Sequence, residues 1–535
     1  MANTSLFRPA SNVPAATATT AHGTAAYALD DFHALAQLVM TGCLRNTFYA
    51  TAAKQLDDIK ELANKVKPED LAKLAIYARE RGYMKDTPAL LMSILANRDI
   101  ELFKKSFGRS IDNAKMLRNF VQIIRSGQSG RKSFGTAPRR AIREWFDSQS
   151  DNQLFKNSIG TSPSMSDVIR LVHPKPKTKS REALYAYLLD KEAKDYHYDE
   201  LPPLVKQYEA YKKSPTGEVP DVPFQMLASI PGLTAAAWKS IAANGGWHMI
   251  RMNLNTFVRH GVFKLENGQD DKQMIDLIAG KIRDEETIRK VKVFPYQLLT
   301  TFTNMDTTVP SAVKLALQDA LEIALQNIPA LLGKKLRIFV DVSGSMSDSV
   351  TGDSPGNTSA TTCIDVAALM AAAFLRYNPE TIVLPFDDRV HTPDLNPRDS
   401  VMTNATKLAK YGGGGTTIPA PFKVMVDAKD GGDLYILVSD NQSWGQVHDE
   451  SRRHFGQQET GTQSMKLWKD LKKFNPHAKL VCLDIQPYAN TQFKEEPDIL
   501  NIGGFSDSVF GVIDAFARGE LSGAHLVGEI RKIQL

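Results

Sequence analysis

The sequence predicts two architectures in one chain: an α-helical solenoid of the HEAT-like kind, followed by an α/β domain built on a doubly wound parallel sheet. Three observations carry this. At 535 residues the chain is too long for one ordinary core. From Asp30 to about Pro329 the apolar residues recur at helical spacing and β-rich runs are nearly absent. From about Lys334 onward, short apolar runs alternate with helical patterns instead.

In the helical region, Pro68 opens a helix that runs to Arg81 and is ended by Gly82, and Pro88 opens another; both prolines take first-turn positions. Further helices are predicted at Ile111 to Arg125, Ala137 to Ser148, Ser164 to Val172, Arg181 to Lys191, Thr234 to Asn244 and Pro310 to Gln326. They are short, amphipathic and joined by Gly, Pro or Asn turns. About 300 residues of consecutive helices fit a solenoid better than a single bundle, although no repeat of fixed period is visible. In the second region Leu336 to Val342 (LRIFVDV) reads as a strand buried on both faces. A helix at Thr362 to Tyr377 follows, then strands at Thr381 to Phe386, Asp433 to Ser439 and Lys479 to Ile485, with helices at Ser464 to Lys473 and Asp507 to Arg518. Such a sheet gathers ligands at the carboxyl ends of its strands.

Composition sets limits on function. The chain is 42% hydrophobic and 23% charged with a net charge of +5, so any nucleic-acid surface must come from local clustering. Cys43, Cys363 and Cys482 are far apart and in no ligand spacing, which argues against a disulfide framework and structural zinc. Met1 to Ala26 is rich in Ala, Thr, Ser and Asn without an apolar core, and reads as a loosely ordered arm rather than a signal peptide. No run reaches the length of a membrane span. A soluble, cytoplasmic protein is expected.

Three segments of the second region fall at or near strand ends. Asp341-Val342-Ser343-Gly344-Ser345 is a DxSxS motif; Thr416 follows the run Gly412 to Gly415; Asp440 ends a later strand in Val438-Ser439-Asp440-Asn441. Three hydroxyls and two carboxylates make an all-oxygen set suited to one divalent cation, Mg²⁺ or Mn²⁺, with a coordination position left open. Against this stands a plainer role, Ser and Asp capping the helix that follows. The order and spacing of the three segments resemble the metal-ion-dependent adhesion site of von Willebrand factor A-type domains. That resemblance implies Ser343, Ser345 and Thr416 as direct ligands and Asp341 and Asp440 acting largely through water. The glycine run lacks the lysine of a P-loop, Ser343 lacks the GxSxG elbow, and HExxH is absent. No catalytic residues are assigned, and no enzyme is required.

The helical region carries a one-signed charge cluster. Between Glu101 and Arg143 there are eleven Lys or Arg against two acids, interrupted by a Gly/Ser-rich loop from Ser126 to Gly135. Arg170 to Arg181 adds Arg170, His173, Lys175, Lys177, Lys179 and Arg181 without an acid. Such clusters bind polyanions by counterion release, although most charge runs are solvated faces. Arg139 and Arg143, at i and i+4, share a helix face, which Arg140 widens. On charge, Arg118, Arg125, Lys132 and Lys177 join the candidate surface.

A helical solenoid followed by an A-domain with DxSxS resembles the Ro autoantigen family, the TROVE module. Local stretches are similar too: Phe120-Val121-Gln122, Arg139-Arg140-Ala141-Ile142-Arg143-Glu144-Trp145, Asp167 to Pro174 with Lys175-Pro176, and Val293 to Leu299. The likeness is greatest to bacterial Ro orthologs, with a longer loop at Ser126 to Gly135 than in the animal pattern. It implies a monomeric ring of helical repeats closed by the A-domain, small noncoding Y RNA on the outer basic surface, and single-stranded 3′ ends of misfolded noncoding RNA in the central hole. It also implies a place in RNA quality control and stress survival, with the 3′-to-5′ exoribonuclease polynucleotide phosphorylase as partner. Arg139, Arg140, Arg143, His173 and Lys175 match the family's RNA-contact stretches.

The expected division is a flexible arm over residues 1–25, a helical ring over 26–332 and an A-type domain over 333–535. Two other functions fit parts of the same pattern. One is a protein-interaction scaffold whose metal captures an acidic partner group. The other is a metal-dependent nuclease, disfavoured because phosphoryl hydrolysis usually recruits more carboxylates and often two metals.

Overall fold

The structure, a computed structural model, describes residues 13–41, 44–45, 50–159, 163–190, 197–291, 293, 295–327, 331, 333–350, 361–443, 445, 461–486, 488, 490–504, 507–520 and 525–535. Two strands come first, β1 (Ala18–Thr19) and β2 (Ala25–Ala28). The remaining strands are β3 (Leu336–Asp341), β4 (Ile382–Phe386), β5 (Leu434–Ser439), β6 (Lys479–Asp484), β7 (Asn490–Thr491) and β8 (Ile499–Gly503). The chain forms two compact units, residues 68–325 with 534–535, and residues 1–67 with 326–533.

The first unit is helical from Pro68–Glu80 to Ser311–Ala324. Each boundary follows local chemistry. Asn113 accepts a hydrogen bond from Met116 N–H to start the helix Ala114–Ser126, and Gly127, at φ +80°, ends it in the left-handed conformation. Ser164 and Asp167 form a capping box at the start of Met165–Val172. Helices pack on their next neighbour and on the one beyond: Pro68–Glu80 on Asp86–Arg98 and Ile100–Ser110, Asp86–Arg98 on Ala114–Ser126, and Ile100–Ser110 on Thr136–Ser148. That local pattern is how a helical solenoid builds its core.

The second unit holds a five-stranded, wholly parallel sheet in the order β4-β3-β5-β6-β8. Strands β3 and β5 are buried along their whole length, as their uninterrupted apolar runs require of a sheet covered on both faces. The Ala-rich helix Cys363–Tyr377, begun by a Thr362–Asp365 capping box, packs against β3. A cluster including Phe339, Phe422, Tyr435 and Trp468 fills the other side. Because every strand runs the same way, Asp341, Ser439 and Asp484 all reach one edge of the sheet.

The division differs from the expected one at the N-terminus. The described residues between 13 and 67 group with the α/β unit rather than with the helical one. The first twelve residues lie outside the described ones, but β1 and β2 pair as a hairpin, and β2 pairs in turn with β7 through Tyr27↔Thr491 and Ala28↔Asn490. Tyr27, only 1% exposed, is part of the core beside Trp468, and its hydroxyl donates to Pro14 O at 2.9 Å. The helix Asp31–Thr41 packs on β8 and on His525–Arg531. An Ala-Ala-Tyr-Ala strand carries little β-propensity of its own, and tertiary burial of one tyrosine sets its place. Cys363 and Cys482 are buried and in no disulfide among the described residues; Cys43 lies outside them. Among the described residues no helix is long and apolar enough to cross a membrane.

If the N-terminal strand is integral, Tyr27→Ala will destabilise the α/β unit by about 3–5 kcal/mol, the usual cost of emptying a large aromatic site. Urea unfolding followed by intrinsic fluorescence reads this, and an unchanged midpoint would return the segment to a loose arm.

Candidate metal centre and basic face

Asp341 ends β3 with its side chain fully buried, and the loop that follows turns back on it: Ser343 N–H donates to Asp341 Oδ1 at 2.9 Å. Ser343 Oγ and Ser345 Oγ lie 3.3 Å apart. Asp440, just past β5, accepts from the Ser345 hydroxyl and, at 3.2 Å, from Gln442 N–H. Thr416 reaches the same edge through its backbone. Gly344 N–H donates to Gly414 O at 3.0 Å, Gly413 N–H to Val342 O at 3.2 Å, and Gly445 N–H to Thr416 O at 2.9 Å. Glycine is needed for this approach: at Gly412, φ +118°, a Cβ would stand 2.0 Å from Val342 O. All five residues expected in the metal site are thus buried in neighbouring loops at one sheet edge.

Sequence reasoning missed a second tier. Ser439 Oγ donates to Asp341 Oδ2 at 2.5 Å and accepts from Asn441 N–H at 3.0 Å. Asn441, fully buried at φ +63°, donates from Nδ2 to Asp484 Oδ1 at 2.7 Å and to Thr491 Oγ1 at 3.2 Å. Asn tolerates that left-handed conformation better than most residues. The signal was present: a polar Ser-Asp-Asn run after one apolar strand, and an aspartate ending Leu480-Val481-Cys482-Leu483 at the paired position.

Burial first, and the Asp440 charge second, push the Asp341 carboxyl up to about 7. Asp440 and Asp484 are also raised, each mainly by burial. Among the described residues, the hydrogen bonds to these carboxylates come from hydroxyls, amides and backbone N–H groups rather than lysine or arginine. No trio of His, Cys, Asp or Glu side chains among them forms a metal cluster, so a cation here would draw on the hydroxyls. Buried carboxylates so placed favour either protons or a compact cation.

The basic candidates divide by what their side chains already hold. Arg118 is a correction: at 8% exposure it donates to Asn157 O and Ile159 O at 3.2 and 2.8 Å, and burial lowers its pKa. Its charge closes a turn inside the solenoid and is not presented to a phosphate. Arg143 is half-buried, its Nε donating to Val172 O at 2.6 Å, which ties Thr136–Ser148 to the end of Met165–Val172. His173 caps that end at φ +49° and, like Lys175, is exposed. Lys177 is exposed and pairs with Asp147 at 2.9 Å. Arg125, Lys132 and Arg139 are exposed. Arg140 departs from the shared face: it pairs with Glu144 at 2.7 Å and lines a separate cavity of about 740 Å³ with Lys104, Lys105 and Arg109.

Comparison with known proteins agrees with these two halves. The family model described as the Ro60 vWA domain matches residues 335–517. The chain is 22% identical over 540 residues to a Deinococcus radiodurans protein named RNA-binding protein RO60, covering 92% of this chain and 94% of that relative. The crystal structure of the Deinococcus radiodurans RO (RSR) protein matches with a TM-score of 0.61 at 18% identity, covering 92% of this chain and all of that one. The resemblance to the Ro family holds, and the fold is that of helical repeats with an A-type domain.

Because the Asp341 carboxyl is raised from 3.8 to about 7, the folded chain keeps between those values a proton that the unfolded chain has lost. In buffer with a chelator, stability should therefore fall as pH rises through that window, and Asp341→Asn should flatten the slope. Melting temperatures from pH 4 to 8 test this; parallel profiles for the two proteins would show that Asp341 ionises at no cost.

Proposed function

We propose that the chain is a Ro-type RNA-binding protein that takes Y RNA on its basic helical surface and receives single-stranded 3′ ends of misfolded noncoding RNA within a ring. The observation that carries this reading is the grouping of exposed basic residues where two helices are clamped by the Arg143–Val172 hydrogen bond. Arg139 stands on one helix, and His173 and Lys175 leave the end of the other. Basic groups brought out at one junction neutralise phosphates and release their counterions, which is a salt-dependent source of affinity for a polyanion. Structured RNA is met mainly through phosphate and 2′-hydroxyl contacts, whereas unpaired ends thread and stack. The relative named as an RNA-binding protein aligns over nearly the whole chain, which supports the reading. A role in RNA quality control and stress survival in the cytoplasm, alongside a 3′-to-5′ exoribonuclease of the polynucleotide phosphorylase kind, belongs to the same proposal.

Asp341, Ser343, Ser345, Thr416 and Asp440 would hold one Mg²⁺ or Mn²⁺, whose chemistry is capture of an oxygen ligand at an open coordination position. The hydroxyl-rich donor set, with two raised carboxylates, fits a small hard cation. That open position also favours a second reading, a scaffold that grips an acidic group of a partner protein.

A labelled structured RNA with a single-stranded 3′ tail, compared with its blunt form across a salt series, separates these. Tighter binding of the tailed RNA is expected, and Arg139→Ala with Lys175→Ala should lower the log–log salt slope by roughly 0.7 to 0.9 per lost phosphate contact. Arg118→Ala should instead cost stability. Weak, equal binding of both RNAs would leave the scaffold reading, and RNA shortening in Mg²⁺ that Asp341→Ala abolishes would mark a nuclease.

A further inference from the structure

The loops carrying Asp440 and Thr416 are gripped by a turn some four hundred residues earlier in the chain. Between β1 and β2, Ala21 N–H donates to Gln442 Oε1 at 2.9 Å, and Thr24 Oγ1 donates to Ser443 O at 2.6 Å. Gln442 and Ser443 are both buried. Each in turn holds one of the two loops. Gln442 N–H donates to Asp440 Oδ1 at 3.2 Å, while Ser443 Oγ bonds Thr416 O at 3.3 Å and accepts from Ile418 N–H at 3.2 Å. The far side of the turn is fastened as well, with Asn490 Nδ2 donating to Thr19 O at 2.7 Å and Gln442 Nε2 donating to Asn490 Oδ1 at 3.1 Å. His22, exposed at the tip, acts electrostatically on Asp440.

We infer that the hairpin turn from Thr20 to Thr24 is a working part of the metal centre, with Gln442 as the positioning residue that couples hairpin docking to cation binding. This rests on the cation reading of Asp341, Ser343, Ser345, Thr416 and Asp440. The turn lies outside residues 335–517, the part matched as an A-type domain, so the centre needs a segment that the domain itself does not supply. The coupling has a direction in each loop. A docked turn holds the Asp440 carboxylate oriented through Gln442 and holds the Thr416 strand of backbone through Ser443. An undocked turn frees both loops and loosens two of the three ligand segments together. By linkage, a cation that favours the ordered loops favours the docked hairpin by the same factor.

Two substitutions on opposite sides of the contact test this in the full chain, with Mn²⁺ as the probe. Ala21→Pro removes the donor while suiting the turn closed by Gly23 N–H on Thr20 O, where Ala21 holds the position that favours proline. Gln442→Leu removes the acceptor. Each should weaken Mn²⁺ binding about three- to tenfold, the scale of one lost hydrogen bond, and speed amide exchange over residues 18–28. In the unmodified chain, saturating Mn²⁺ should slow that exchange by a comparable factor. Faster exchange in both variants with unchanged Mn²⁺ affinity would overturn the coupling alone. Failure of the unmodified chain to bind Mn²⁺ would overturn the cation reading, and the coupling with it.

Discussion

The burial of Asp341, Asp440 and Asp484 at one edge of a parallel sheet is the constraint on which the second unit is organised. Three carboxylates removed from water, with no lysine or arginine partner among the described residues, cannot all stay ionised and bare. The surrounding polypeptide answers with donors: Ser343 N–H, Ser439 Oγ, Gln442 N–H and the Asn441 amide. These bonds hold the carboxylates in place but do not neutralise them. Neutralisation has to come from protons or from a cation, and the nearby hydroxyls of Ser343 and Ser345 are ligands for the second.

The parallel sheet makes such crowding unavoidable. Strands that all point one way deliver their last residues to a single edge, so polar residues placed there converge even when far apart in sequence. Backbone must then come close enough to fill the remaining gaps, which is the work of glycine. A side chain at Gly412 would collide with Val342 O, and one at Gly445 would stand 1.9 Å from Thr417 Oγ1. Either collision would push the Thr416 loop away from Asp341 and Asp440. The glycine run that marks Thr416 in the sequence, and that lacks the lysine of a phosphate loop, thus has a purpose in packing.

How far the sequence disclosed this depended on whether the determining interaction was local. LRIFVDV and its sister strands announced themselves because a strand buried on both faces must be apolar throughout, and the structure places β3 and β5 within a residue of the expected bounds. Helices with a local cap, such as Met165–Val172 behind Ser164, were equally legible. That the five candidate ligands come to one sheet edge was legible because motif order at strand ends survives folding. Tyr27 could not be placed in this way: four residues with three alanines give no strand signal, and the partner that buries them lies beyond residue 430. Asp484 was missed for a different reason. A lone acid at a strand end is ordinary, and only its pairing opposite Ser439 gives it meaning.

The same distinction governs the basic surface, where counting charges treats every arginine alike and placement does not. Arg118 and Arg131 direct their guanidinium groups at carbonyls of neighbouring segments, and Arg109 is tied to Glu80. Arg118 shows what such a group does inside the solenoid, since one guanidinium satisfies two carbonyls that no helix pairs. Arg143 stands between the two roles. Its bond to Val172 O fixes the junction from which His173 and Lys175 emerge, so it orders the exposed charges around it while remaining half-exposed itself. A polyanion approaching that junction would meet Arg139 and Lys175 on backbone that the Arg143–Val172 bond holds in place. On the proposed RNA-binding reading, where the basic residues are placed therefore counts for more than the total of eleven in the stretch from Glu101 to Arg143.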